Sequence, residues 1–454
     1  MIIALALLMI ISFIWLLSKN KLSILGALVI VPLVFGVIIV LFTSATFGDM
    51  FKWITDALFY SVDSKTGDVS LGVVSPGLLI LFAVMYFDLM LDVGLFDPLC
   101  CFFIRKAKGD PLKVTMATVL TATVVTMNGD TTTTIIICVA AFLELYRSLH
   151  MSLLYLAILI VTPIGIFNQL PWGGPTISNA TALGVSVNGL FKSLLPGMLA
   201  AEVFAIGLAW YFGRKERRRL EWDASGAGGP DKAMLERMQD AIRNKNPELK
   251  RPKMYAFNLI LTFGILYLLI VGAAHGAILF MIGTALVVTL NYREVSLINE
   301  RLDAVAADAL GPALASFGAG VFSGVLTGSG MATGLAQGIT AIIPASLGSH
   351  MAPIYSIISA PAICFLPQDA FYFGIAKVVA NVMNNFGITQ MQAAVASMVG
   401  QSFRLISPVI PALYMLTDQT ELNFVDFQKK YVKYCWPILF IYIIVYAITG
   451  MLPI

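Results

Sequence analysis

The chain has 454 residues, of which 58% are hydrophobic and only 12% are charged, and its mean hydropathy is +0.86. Soluble proteins carry about 25% charged residues, so this composition excludes a soluble globular protein and predicts a polytopic protein embedded in the lipid bilayer. The formal net charge of +3 is small and gives no indication of a nucleic-acid partner.

The first half of the chain, residues 1–213, alternates apolar spans with short polar loops. Basic residues mark the cytoplasmic side of a membrane protein, so Lys19, Lys21 and the run 105–108 are expected inside. Segment 44–73 contains only two lysines and is expected outside. The predicted spans are 1–17, 22–43, 75–94, 152–183 and 190–213.

A polar cluster at 128–134 interrupts this half between two apolar arms, 112–127 and 131–147. Each arm is about 16 residues, roughly 24 Å as a helix, and a full crossing needs about 20. The pattern therefore predicts a re-entrant helical hairpin over 112–147, entering from the cytoplasm. A second polar cluster, 168–176, predicts a broken helix over 152–183.

The segment 214–253 is the most charged of the chain, with 12 Lys/Arg and 7 Asp/Glu, and is predicted to be a cytoplasmic linker. The second half, 254–454, then starts inside, so its orientation is reversed. Its polar clusters predict a hairpin over 351–386, entering from outside, and a broken helix over 389–417. Two hairpins from opposite faces are typical of inverted repeats in transporters, with the substrate site at the breaks.

Two carboxylates lie at the predicted hairpin tips, Asp130 in the first half and Asp369 in the second. Ionisable groups inside a membrane are costly and usually functional, so both are candidates to carry a proton or a cation. A bound divalent metal would use the same two side chains. The threonines after Asp130 have an alternative role, because hydroxyls also bond their own helix backbone.

Proline in the first turn and serine at the N-cap favour helix restarts at Pro175–Thr176 and at Ser407–Pro408. A half-helix that begins at membrane depth directs free N–H groups at the cavity and favours an anion. The candidate substrate-binding residues are Asn128, Gly129, Thr131, Asn168, Gly173, Gly174, Thr176, Gln368, Gln401, Ser402, Arg404 and Ser407.

Arg404 needs an anionic partner at this depth, and the sequence leaves open whether that partner is Asp369 or a substrate carboxylate. Lys377 fits a charge balancer or a side chain that extends to the membrane surface. Trp172 fits either a wall of the site or a wedge that supports the loop.

An enzyme is not expected. Asn128-Gly129-Asp130 partly matches the GxGD motif of intramembrane aspartyl proteases, but Met127 occupies the place of the first glycine. The chain contains no HExxH and no GxSxG motif.

With these residues considered, the chain resembles the CitMHS family, the citrate–divalent-metal:proton symporters of the ion transporter superfamily. The resemblance covers nearly the whole chain. It is carried by five stretches: 94–99 (GLFDPL), 108–113 (KGDPLK), 170–176 (LPWGGPT), 369–374 (DAFYFG) and the Leu-x-Ser-Pro of 405–408. It implies an all-α protein of two inverted repeats, a scaffold that dimerises, and elevator-type movement of the transport domain. The implied location is the plasma membrane of a bacterium.

Three positions depart from the pattern of this family. The first tip usually reads Asp-Gly-Asp and here starts with Asn128; the second usually reads Asn-Asp and here starts with Gln368. Arg404 replaces a usual histidine. Hard divalent cations prefer carboxylate oxygens, so losing one carboxylate and gaining a cation favours a metal-free anion.

We therefore expect a secondary-active transporter that imports citrate, alone or with a divalent metal such as Mg²⁺, by proton symport. No resident cofactor is expected, and a homodimer is. The alternatives are a carrier of a metal-free di- or tricarboxylate, a passive anion channel, and a sodium-coupled dicarboxylate carrier. The last uses Ser-Asn-Thr at both tips, which this chain lacks.

Overall fold

The computed structural model describes residues 2–19, 21–62, 69–107, 109–222, 246–366, 368–407 and 410–453. Six helices in these ranges are long and apolar enough to cross a bilayer: Ile24–Phe42, Val74–Asp92, Val187–Arg219, Pro252–Val271, Val295–Gly328 and Phe424–Ile448. Four shorter apolar helices accompany them: Ile2–Leu17, Leu153–Phe167, Gly276–Asn291 and Met351–Phe365. The architecture is that of a helical membrane protein.

The helices of the first half follow the predicted spans closely. They are Ile2–Ser18, Ile24–Phe42, Phe47–Leu58, Val74–Asp92, Asp97–Ala107, Pro111–Val125, Thr131–Ser148, Leu153–Phe167, Gly174–Leu183 and Val187–Arg219, with a 3₁₀ turn at Thr126–Asn128.

The helices of the second half are Tyr255–Val271, Gly276–Asn291, Val295–Gly328, Met331–Thr340, Ala345–Gly348, Met351–Phe365, Lys377–Asn384, Gln390–Met398, Pro411–Gln419, Phe424–Cys435 and Pro437–Ile448. A π-helical segment covers Ala370–Ala376, and 3₁₀ segments cover Pro247–Leu249, Pro252–Met254 and Val399–Ile406.

The described residues of segment 44–73 form a helix and a strand pair where the sequence predicts an external loop. Helix Phe47–Leu58 starts with a capping box, in which Thr46 and Asp49 each bond the other's backbone N–H. An antiparallel strand pair, Tyr60–Val62 with Val69–Leu71, follows. The fold is therefore not purely α-helical, because turn and strand residues here replace a plain loop.

Two groups of helices organise the core. In the first, which we call the scaffold group, Val74–Asp92 packs between Gly276–Asn291 and Val295–Gly328, and Ile24–Phe42 and Phe47–Leu58 lie against the latter. Its ion pairs are Asp92 with Arg301, at 2.8 Å, and Asp97 with Lys250, also at 2.8 Å. The carboxylates of Asp92 and Asp97 are thus structural anchors.

The second group, which we call the tip group, contains a helical hairpin and an interrupted helix from each half. Hairpin 1 spans 111–148 and broken helix 1 spans 153–183; hairpin 2 spans 351–384 and broken helix 2 spans 390–419. The broken helices meet so closely at Gly165 that a Cβ there would lie 2.9 Å from the carbonyl oxygen of Ser402. At the end facing the linker, Asp110 caps hairpin 1 and pairs with Arg217.

One helix carries a polar extension, and one bound differs from expectation. Helix Val295–Gly328 begins before its apolar part, and Arg301 in the polar extension pairs with Asp92. Broken helix 2 resumes at Pro411, with Ile410 as N-cap, and Ser407 instead ends the 3₁₀ segment. Proline is equally suited to the first turn at 411, so the restart predicted at Ser407–Pro408 was wrong by about one turn. Pro408 itself and most of the linker 214–253 lie outside the described residues.

Candidate functional site

The tip of hairpin 1 is a tight turn whose polar groups bond one another. Gly129 adopts φ 85°, a left-handed conformation that glycine accepts without strain. The Asn128 Oδ1 atom accepts from the N–H of Asp130 at 2.9 Å, and the Asp130 Oδ2 atom accepts from the N–H of Thr133 at 2.5 Å. Asp130 is therefore the N-cap of the second arm, a structural role in addition to the proton or cation role expected from the sequence. Thr131, half-buried, begins that arm.

Trp172, in the break of broken helix 1, supports this tip. Its indole N–H donates to the carbonyl of Met127 at 2.9 Å, and a Cβ at Gly129 would lie 3.2 Å from the indole ring. The other face of the indole stacks on Phe87 of the scaffold group at a centroid distance of 5.0 Å. Of the two roles left open for Trp172, the contacts favour the supporting wedge.

The break itself is shaped by Asn168 and Gly173. Asn168 ends the first half of the helix, and a Cβ at Gly173 would lie 2.1 Å from the Asn168 carbonyl oxygen. The helix resumes at Gly174, followed by Pro175, and no side chain caps its N-terminus. Uncapped N–H groups with a positive helix dipole favour an anion at this point.

The tip of hairpin 2 reaches the same helix from the other side. Asp369 is 8% exposed, and Ser178 donates to its Oδ1 atom at 3.1 Å. The Gln368 Nε2 atom lies 3.5 Å from Ser178 Oγ and 3.3 Å from the position of a Cβ at Gly174. Broken helix 1 therefore contacts both hairpin tips, through Trp172 on one side and Ser178 on the other.

The hairpin 2 tip continues into the π-helical segment Ala370–Ala376, immediately after Asp369. π-helical turns are rare and occur frequently at functional sites. Tyr372 in this segment donates to Gln401 Oε1 at 2.9 Å. The π segment therefore links the tip to broken helix 2.

Arg404 lies in the 3₁₀ segment of broken helix 2, half-buried, and donates to the carbonyl of Leu366 at 3.4 Å. Leu366 lies three residues before Asp369, so this bond holds Arg404 at the tip of hairpin 2. Within the described ranges, however, Arg404 and Asp369 form no ion pair at 4.0 Å or less. Of the two partners left open for Arg404, a fixed pair with Asp369 is therefore not formed.

The remaining candidates lie deeper in the tip group. Ser402 lies 3.3 Å from the hydroxyl of Tyr442, which also accepts from Gln169 at 3.1 Å. Ser407 is buried at the end of the 3₁₀ segment. Several buried polar atoms near the tips and breaks have no hydrogen-bond partner: Asn128 Nδ2, Thr176 Oγ1, Gln169 Oε1 and Gln401 Nε2.

Two residues that shape the site had no signal in the sequence, whereas Tyr372 lies within the quoted stretch 369–374. Ser178 and Tyr442 act through contacts between segments roughly 190 to 270 residues apart. A lone serine or tyrosine in an apolar helix gives no local indication of such a partner. Only the fold brings these groups together.

No cluster of three or more His, Cys, Asp or Glu side chains in the described ranges is arranged to hold a metal ion. Asp130 and Asp369 lie on different tips, so a metal bound to either would draw most of its ligands from a substrate. The metal role predicted for them stays a prediction.

Apolar membrane helices, two hairpins and two interrupted helices with polar groups at the breaks define a membrane transporter. The CitMHS family profile, described as citrate transporter, matches residues 3–400. The chain belongs to this family of citrate transporters, which are secondary transporters and not enzymes.

Curated relatives agree with this assignment. The chain is 33% identical over 429 residues to the citrate transporter of Bacillus subtilis (strain 168), covering 94% of this chain and 93% of the relative. It is 30% identical over 444 residues to the Mg(2+)/citrate complex secondary transporter of the same organism, covering 97% and 96%.

Solved structures support the fold. The Alcanivorax borkumensis YdaH transporter aligns with a TM-score of 0.53 at 14% identity, covering 92% of this chain and 98% of that one. Neisseria gonorrhoeae MtrF, from a class of antimetabolite efflux pumps, aligns with a TM-score of 0.54 at 12% identity, covering 92% and 94%.

Proposed function

We propose that this protein is a secondary-active carrier that imports citrate, with or without a divalent cation, by proton symport. The observation that carries this proposal is the arrangement of Asp369 and Arg404. A buried carboxyl group and a guanidinium lie near each other in the membrane interior without an ion pair. Unpaired charges at this depth are costly, so the energetic compensation has to come from something the protein binds.

In this proposal, Arg404 pairs with a substrate carboxylate and Asp369 carries the proton. Ser178 bonds Asp369 through a hydroxyl that serves either protonation state, because a hydroxyl both donates and accepts. A carboxyl group held this way changes charge without losing its partner. That is the property a coupling residue needs.

The substrate's other oxygens would meet the uncapped N-terminus at Gly174 and the unpaired side-chain atoms of Asn128, Thr176 and Gln401. Buried polar atoms are normally hydrogen-bonded, and each exception calls for an explanation. A polyanion with several oxygens would supply the missing partners. Asp130 would act as a second coupling group from the tip of hairpin 1.

A divalent cation would travel as part of the substrate. Citrate carboxylates would supply most of its oxygen ligands, as hard cations require, with Asp130 or Asp369 adding one. The relative transporting a Mg(2+)/citrate complex favours this form, whereas the extra charge of Arg404 favours bare citrate. The proposal therefore includes both substrate forms, and the uptake assay separates them.

Movement is proposed to follow the elevator scheme. The tip group would slide past the scaffold group, each half acting as one inverted repeat, in a homodimer joined through its scaffold helices. A passive anion channel built on the same helices is the competing function. It would move citrate downhill only and would show no counterflow.

The test is uptake of labelled citrate into proteoliposomes under an inward proton gradient, with and without Mg²⁺, Ca²⁺ or Zn²⁺. Accumulation above the outside concentration, abolished by a protonophore, is expected for a proton symporter. Uptake only with a divalent cation would assign the metal complex, and slower uptake with metal would assign bare citrate. Downhill flux without accumulation or counterflow would replace the carrier with a channel.

A further inference from the structure

A cavity of about 690 Å³ lies between the scaffold group and the tip group, apart from the candidate site residues. Helices Phe47–Leu58, Val74–Asp92 and Val295–Gly328 line it on the scaffold side. Helix Gly174–Leu183 and Lys377 line it on the tip side. The lining comes from the ends of these elements that the basic-loop pattern places outside.

The tip-side wall carries two polar groups that other contacts do not satisfy. Thr181 is 9% exposed, and its hydroxyl has no hydrogen-bond partner. Lys377 is half-buried and, among the described residues, has no hydrogen bond and no ion pair. A lysine ammonium away from bulk water needs an anion to offset its lost hydration.

The other charged or titratable groups of the cavity do not neutralise Lys377. His275 is already engaged, with its Nε2 atom 2.7 Å from Ser75 Oγ and its Nδ1 atom accepting from the N–H of Ala277. Asp56, on the scaffold side, forms no ion pair with Lys377. The Lys377 ammonium therefore forms no ion pair with any described residue that lines the cavity.

Thr181 and Lys377 both lie on helical segments next to residues of the candidate site. Thr181 is one helical turn after Ser178, which bonds Asp369. Lys377 follows the π-helical segment that begins directly after Asp369. A solute in the cavity is therefore in contact with the outward continuation of the same two helices.

We propose that this cavity is an outer docking site for the carboxylate substrate, with Lys377 as the cation and Thr181 as the hydroxyl donor. The proposal rests on the proposed function, because it assumes that the carried solute is a carboxylate. The positive charge of Lys377 attracts a negatively charged solute. A metal complex carries two fewer negative charges than bare citrate, so Lys377 would favour the bare anion.

The transport test compares Lys377→Met with Lys377→Arg, and uses Lys192→Met as the control. Lys192 is exposed near the same end of helix Val187–Arg219, outside the cavity, so its loss changes net charge alone. K377M is expected to raise the KM for outside citrate roughly tenfold, the loss of one charge-assisted contact. K377R and K192M should stay near the wild type. Thr181→Val should raise KM roughly threefold.

Comparing the KM for uptake from outside with the KM for efflux from inside distinguishes an outer docking site from a general structural effect. Efflux from citrate-loaded vesicles, which starts from the inner face, should keep its KM in K377M. An equal change in both directions, or an unchanged KM outside, would overturn the outer site.

A binding readout keeps this test independent of transport. Thr327 is exposed and lines the cavity, so Thr327→Cys should react with a membrane-impermeant maleimide added outside, above the rate of the parent chain. Citrate should slow the labelling, and K377M should remove that protection. Protection without any citrate uptake would refute the proposed function and keep the docking site; uptake without protection would refute the docking site alone.

Discussion

The two hairpin tips carry one carboxylate each but hold it in opposite ways. Asp130 bonds the backbone of its own helix, as the N-cap of the second arm of hairpin 1. Asp369 caps nothing and is held by Ser178, a side chain from the other half of the protein. The Asp130 carboxylate therefore helps to start a helix, and the Asp369 carboxylate has no such role. A substitution at Asp130 changes helix capping as well as charge, whereas one at Asp369 leaves capping untouched.

The largest effect is expected from Asp369→Asn, which mimics a permanently protonated tip. Proton-driven accumulation of citrate should be lost, and the remaining downhill flux should no longer respond to outside pH. Uptake into proteoliposomes at two outside pH values measures this, with the exposed Asp426→Asn as the matched control. Wild-type accumulation in D369N would remove Asp369 from the coupling.

Arg404→His is expected to make citrate binding depend on pH. Histidine has an ordinary pKa of about 6.5, so it is charged at about pH 5.5 and neutral at about pH 7.5. The ratio of the KM of R404H to that of the wild type, both measured at the same pH, should be near one at the lower pH and about ten at the upper.

The exposed Arg293→His is the control for R404H and should show no such change. A relative KM that is the same at both pH values would mean that Arg404 does not pair with the substrate.

Two variants of Asp130 separate the effect of its charge from the effect of its role as a helix N-cap. Asn is as good an N-cap as Asp, so Asp130→Asn should keep thermal stability while lowering uptake severalfold and changing its pH dependence. Asp130→Ala should also lose about 1 kcal/mol of stability, read as a lower melting temperature in detergent. Normal rate and pH dependence in D130N would restrict Asp130 to its capping role.

The smallest effect is expected from Ser178→Ala, which removes one hydrogen bond to Asp369. A net loss of about 1 kcal/mol should appear as a severalfold slower proton-coupled uptake. Ser178→Thr, which keeps the hydroxyl, should restore the rate. If S178A and S178T behave alike, the hydroxyl has no part in coupling.

The sequence indicated where the helices of the first half are interrupted, because Asn128-Gly129-Asp130 and Gly173-Gly174-Pro175 are strong local signals. That the hairpins are re-entrant in the membrane stays a prediction. The sequence misplaced the second restart, since Pro408 and Pro411 both suit a first helical turn. It could not reveal Ser178 as the partner of Asp369, because nothing near either residue encodes a contact across about 190 positions. The same limit applies to the ion pair of Asp92 with Arg301, which long-range packing alone creates.

Trp172, which supports the tip of hairpin 1, contacts the scaffold group through aromatic rings: it stacks on Phe87 at a centroid distance of 5.0 Å and lies edge-on to Phe280 at 5.4 Å. Aromatic pairs are held by apolar contact and ring electrostatics, so separating these rings leaves no unpaired hydrogen-bond donor or acceptor. The described scaffold ion pairs, in contrast, join scaffold residues to each other or to the linker. In the movement proposed above, this contact would break and re-form without exposing an unpaired polar group, while the ion pairs stay within the scaffold group and the linker.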